Sequence, residues 1–202
     1  ASHMWFYGML GTDEQRYYWM DEGFTSFAED EAMNVLSGKN LPNAHLGYLG
    51  RYSRVAHQTW MEPASTLANY FDGKFPYQMA AYMKGSLFLV QLRGIMGEDA
   101  FWSTLQRYKN VWAFKHPRPE NFLRIAEQES GMVLDWYMNQ WIETMKVPDA
   151  GVDSVYTTGG NLANIRLTRN GSLALPVDVD VVLKNGTTLH YTVPLSAMFG
   201  HK

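Results

Sequence analysis

Through most of the first 147 positions, apolar residues recur every three or four places. The runs AAYMKGSLFLVQLRGIMG (80–97), EDAFWSTLQRYKNVWAF (98–114) and ENFLRIAEQESGMVLDWYMNQWIETM (120–145) each carry a stripe of helical period. Gly97, Glu98 and Asp99 place acids where a helix N-terminus favours negative charge, and Pro117 and Pro119 precede a further helix start. The tripeptide Glu129-Ser130-Gly131 reads as a stop followed by a new start. Beyond KVPDAG (146–151) the period shortens to two: Val177, Val179 and Val181 alternate with Asp178 and Asp180. Asn170–Gly171 and Asn185–Gly186 are hairpin-turn signals, which predict a small antiparallel sheet of three or four strands. The expected class is α+β: a mainly helical region over 1–147, then an antiparallel β module over 148–202 that is expected to be incomplete.

Composition narrows the function classes. A 202-residue chain with 46% hydrophobic and 18% charged residues can bury a sizeable core. Net charge is −3 with no basic run, so no nucleic-acid partner is indicated. The most hydrophobic window, GSLFLVQLRGIMG, is interrupted by Gln91 and Arg93 and falls short of the ~20 apolar residues that span a bilayer. With no cysteine there is no disulfide and no thiolate ligand, so a metal would need histidine and carboxylate donors. The six histidines, at 3, 45, 57, 116, 190 and 201, include no H-x-x-x-H pair. His57, His116 and His190 lack ligand spacing and read as surface or capping residues, and Asp178 and Asp180 as the solvent face of a strand.

The stretch WMDEGFTSFAEDE (19–31) places Asp21, Glu22 and Gly23 ahead of a helical run in which Phe24, Phe27 and Ala28 share a face. By periodicity alone, its acids are a solvated helix face. The register with His3 changes that reading, because eighteen residues separate His3 from Glu22 and the aromatic WFYG follows His3 after one position. This resembles the aminopeptidase N-like (gluzincin) zinc metallopeptidases, whose signature is H-E-x-x-H, eighteen residues, then Glu in an N/D-E-G sequence. YMKG (82–85) and the passage FKHPRPENFLRIAEQESGMVLDWYMNQWIET follow in the family's order, so the resemblance covers about residues 3–145.

The resemblance implies the second half of a thermolysin-like catalytic domain and the start of the β domain that follows it. It implies His3 and Glu22 as zinc ligands and Tyr82 as a neutral phenol that donates to the oxyanion of the tetrahedral intermediate. It implies Glu29, seven residues after Glu22, as a carboxylate that orients a zinc-bound histidine. The implied activity is removal of N-terminal residues from peptides by zinc-activated water, with a peptide as partner. The run Ser-His-Met at 2–4 is also what a cloning site leaves behind, so His3 has two readings: second histidine of the motif, or vector residue. Under both, the leading His-Glu is not in this sequence. The expectations are therefore zinc absent or weakly held, no hydrolysis by this chain alone, and self-association through the faces carrying Trp5, Phe6 and Tyr7. A non-catalytic peptide- or protein-binding module that keeps the fold without the metal is the alternative. A surface of aromatic helices with no peptidase ancestry is a third.

Overall fold

Eight α-helices come first in the computed structural model and four β-strands follow, among the described residues 3–160 and 162–199. The class is α+β. The chain divides into two compact units, Ala1–Met145 and Lys146–Lys202.

The helical unit contains α1 (His3–Phe6), α2 (Tyr18–Leu36), α3 (Leu46–Val55), α4 (Lys74–Gln78), α5 (Gly85–Met96), α6 (Glu98–Trp112), α7 (Pro119–Ser130) and α8 (Asp135–Ile142). Between α4 and α5 the helix widens into a π-helical stretch, Met79–Lys84. The caps follow the sequence signals. Glu98 and Asp99 fill the first turn of α6, and Pro119 opens α7, where a missing N–H costs nothing. Gly131 ends α7 in the left-handed region at φ 69°.

The core is aromatic. Phe24 of α2 makes edge contacts with Trp19, Tyr108 and Phe122, while Phe88 of α5 stacks on Tyr137 of α8. Such pairs add about 0.5–1.5 kcal/mol each beyond the area they bury. The first half of α2, Tyr18 to Phe27, is buried except for the half-buried Glu22, whereas its C-terminal end is solvated. The helix begins ahead of Asp21-Glu22-Gly23 instead of after it, because Tyr18, Trp19 and Met20 all have core partners to pack against. Trp5 and Tyr7 of the N-terminal stretch are exposed, but Phe6 packs edge-on against Phe24. No helix among the described residues is long and apolar enough to cross a membrane.

In the second unit, β1 (Ala150–Thr157) pairs antiparallel with β2 (Ala163–Arg169), and β3 (Val177–Val182) with β4 (Thr188–Val193). Four strands form, but in two separate two-stranded ladders and not in the single sheet that the turn signals suggested. The reason lies at Asn170–Gly171. Both backbone N–H groups donate to the Asp149 carbonyl, and the Leu173 N–H donates to that of Val147, so the turn folds back on the start of the module. A side chain at position 171 would collide with Val147 and Asp149. Asn185–Gly186 does close a hairpin, with Gly186 at φ 84°. Asp178 and Asp180 lie on the exposed face of β3, bonded to Thr192 and His190 across the ladder.

Candidate active site

Glu22 occupies the second turn of α2, next to a close helix crossing. Gly23 follows it and lies against Gly85, the first residue of α5. The crossing brings Tyr82, on the π-helical stretch, within reach of Glu22 from sixty residues along the chain, and its hydroxyl donates to Glu22 Oε1 at 2.6 Å. On the other side, His3 of α1 places Nε2 3.3 Å from Glu22 Oε2 and Nδ1 3.5 Å from Asp21 Oδ1. The structure thus brings His3, Glu22 and Tyr82 together around one carboxylate. A π-helical turn is a common device for aiming a side chain out of helical register at a functional site.

The far end of that stretch is pinned. Lys84 is fully buried; its Nζ donates to the Thr144 carbonyl at 2.6 Å and lies 5.3 Å from the centre of the Trp141 ring. Trp141 Nε1 donates back to the Lys84 carbonyl at 3.0 Å. Tyr82 therefore stands two residues from an anchored one. Tyr18, at the start of α2, donates its hydroxyl to the Ala64 carbonyl at 2.7 Å and holds that end of the helix in the core.

Charge at the site is lopsided. Burial, and then the neighbouring Glu22, push the Asp21 carboxyl up to about 6, with His3 pulling the other way. Burial and the hydrogen bond to Glu22 raise the Tyr82 phenol well above its ordinary value, so it remains a neutral donor at physiological pH. Burial raises the Tyr77 phenol as well, aided by Glu22, Asp21 and Glu14.

His3, Asp21 and Glu22 each offer one ligand atom, and the three lie within 4.8 Å of one another. His3 Nδ1, Asp21 Oδ1 and Glu22 Oε2 are buried and lack a hydrogen-bond partner. Nitrogen and carboxylate oxygen donors that converge without internal partners suit a divalent cation such as Zn²⁺. Asp21 is the residue that sequence reasoning passed over, since its neighbourhood of acids reads as solvated. Its position immediately before Glu22 was the available signal. Glu29 is exposed on α2, lies outside this cluster, and makes no hydrogen bond or ion pair among the described residues.

Residues 1–141 match the Peptidase family M1 domain. Aminopeptidase N of Streptomyces lividans is 25% identical over 148 residues, which cover 71% of this chain and 17% of that protein. Aminopeptidase A of Gloydius brevicauda is 28% identical over 160 residues, covering 75% of this chain and 16% of the relative. The chain thus spans 16–17% of the length of these two relatives. Among solved structures, the M1 zinc metallopeptidase from Deinococcus radiodurans superposes with a TM-score of 0.59 over 73% of this chain and 32% of its own, at 20% identity. A variant of that enzyme bound to a Tyr-Ser-Ala substrate superposes with a TM-score of 0.58. At that identity the structural likeness speaks for the fold, while the match over residues 1–141 decides the family. The chain belongs to peptidase family M1.

Proposed function

We propose that the helical unit carries part of the catalytic centre of a zinc-dependent aminopeptidase, with His3 and Glu22 as zinc ligands and Tyr82 as the oxyanion donor. The observation that carries this reading is the convergence of His3 and Tyr82 on the two oxygens of Glu22, at 3.3 and 2.6 Å. Zinc, when held here, would polarise the scissile carbonyl and acidify a water molecule. Tyr82 holds its proton against ionisation and presents an O–H where negative charge develops on the substrate oxygen. To do so it must exchange its bond to Glu22 for one to the substrate. Asp21 adds a third donor beside His3, and its charge helps to draw a cation into the cluster.

Within the described residues the ligand cluster has one histidine and two carboxylates, and Glu14 is close enough to raise Asp21 but is not one of its ligands. On this reading the 202 residues by themselves hold zinc weakly and do not turn over peptide. A metal-free binding role is the second reading. It is favoured by the Tyr82–Glu22 hydrogen bond, which pairs the tyrosine hydroxyl with Glu22 Oε1 without a metal.

Titration of the purified chain with Zn²⁺, followed calorimetrically, separates the two. Saturable one-to-one binding that weakens at least about tenfold in His3→Ala and in Glu22→Gln supports the metallopeptidase reading. Binding that neither substitution affects, or none at all, leaves the metal-free role standing. Hydrolysis of an aminoacyl p-nitroanilide, measured in parallel, tests whether the chain alone is active.

A further inference from the structure

Tyr82 also lines a cavity of about 550 Å³, a size suited to a peptide side chain or a small ligand. Phe75, Met79 and Met83 give this cavity an apolar lining. Among the described residues its charged lining is Arg51 and Arg54, both from α3, with no acidic residue. Three positions apart on one helix, the two guanidinium groups leave the same face. Neither makes a hydrogen bond or an ion pair among the described residues. By contrast, Arg93 is bonded to Glu31 at 2.8 Å and Arg107 to Glu129 at 2.6 Å.

Two like charges on one face repel each other, and helix stability alone does not ask for the pairing. A guanidinium presents a planar fork of N–H donors that matches a carboxylate in two-point geometry. Beside an apolar wall such a bond is worth more than in open water.

We propose that this cavity is a carboxylate subsite for the peptide, in which Arg51 and Arg54 grip an acidic group while Tyr82 faces the scissile carbonyl. The inference rests on the reading of Tyr82 given above. The carboxylate has two sources, an Asp or Glu side chain or the free C-terminus of a short peptide, and both present the same planar anion. Arg51 and Arg54 are thus specificity residues that select peptides with negative charge beyond the bond to be cut. They take no part in the bond-breaking step.

The test is equilibrium binding to the full chain of three tripeptides: Ala-Ala-Ala amide, Ala-Ala-Ala free acid and Ala-Glu-Ala amide. Each is titrated at low and high salt against the chain and against the Arg51→Gln/Arg54→Gln double variant. Both substituted side chains are exposed, so the fold should survive, and circular dichroism checks that it does. At least one acidic peptide should bind about tenfold more tightly than the neutral amide. The double variant should erase that advantage and leave the neutral amide unchanged, and salt should weaken only the acidic peptide. Whichever acidic peptide gains identifies the source of the carboxylate. Equal binding of all three overturns the subsite and leaves the peptidase reading intact. An acidic preference that persists in the double variant also overturns it, since the anion is then held elsewhere. If no peptide binds, both readings fall.

Discussion

Gly23 and Gly85 meet where α2 crosses α5, in backbone-to-backbone contact. A Cβ built on Gly23 would lie 2.5 Å from the Gly85 carbonyl carbon, and one on Gly85 would lie 2.7 Å from the Trp19 carbonyl oxygen. Neither neighbour is a flexible side-chain tip, so the helices would have to part to admit a methyl group. Glu22 precedes one glycine and Tyr82 lies three residues before the other, so this contact sets the 2.6 Å bond between them.

Gly85→Ala is therefore expected to destabilise the helical unit. Alanine gains up to about 1 kcal/mol of helix propensity over glycine. Overpacking a tight contact costs typically about 1–3 kcal/mol, and here it should win because backbone atoms are involved. Gly94, in the same helix, has nothing within 4 Å of its Cβ position, so Gly94→Ala should stabilise by up to about 1 kcal/mol. Urea denaturation of the two variants should give shifts of opposite sign. Stabilisation by Gly85→Ala as well would mean that the crossing tolerates a methyl group and that the helix contact is not what positions Tyr82.

Tyr82→Phe and Glu22→Gln should separate the two roles assigned around Glu22. Loss of the Tyr82 hydroxyl leaves one half-buried carboxylate oxygen without its donor, at a cost of about 1–3 kcal/mol. It removes no metal donor, however, so zinc affinity should stay level or rise as Glu22 is released. Glu22→Gln can still accept the tyrosine hydrogen bond, so its stability should change little while zinc affinity drops. Thermal melts with and without zinc would show this crossed pattern. Parallel effects of the two substitutions on both stability and zinc binding would sink the assignment.

The parts of this arrangement that sequence could reveal were those held by register. Eighteen residues from His3 to Glu22 and the YMKG tetrapeptide are strings, and strings survive without coordinates. Asp21 was harder, because neighbouring helix positions are not expected to serve the same partner. It does so because His3 lies across α2 and presents one ring nitrogen to each carboxylate. The π-helical stretch at Met79–Lys84 was invisible, since one widened turn leaves the apolar spacing almost unchanged. Asn170–Gly171 shows a different limit. The dipeptide announces a turn but not which segments the turn joins, and here it returns to Asp149 instead of pairing β2 with β3. The two arginines of α3 carry no local signal, since only the fold brings the face they share next to Tyr82.

Lys84 provides a pH-dependent test of how the Tyr82 segment is anchored. Burial lowers its ammonium from 10.5 to about 7, with no carboxylate to offset the desolvation. Between about pH 7 and 10 the folded chain thus holds less of this proton than the unfolded chain does, and unfolding free energy rises with pH. The burial penalty is fully felt below the folded value and fades as pH climbs toward the ordinary lysine value. The slope from this one group approaches about 1.4 kcal/mol per pH unit within the window. Above that window the buried phenols of Tyr108 and Tyr137, raised by burial, act in the opposite sense, because the unfolded chain then loses protons that the folded chain keeps. Lys84→Met retains a long side chain against Trp141 but has no proton to lose, so it should abolish the rise. Urea midpoints at pH 7, 8 and 9 should climb in the wild-type chain relative to the variant. Parallel curves would mean that Lys84 keeps its charge throughout, and that its bond to the Thr144 carbonyl and its place over Trp141 compensate for the lost water.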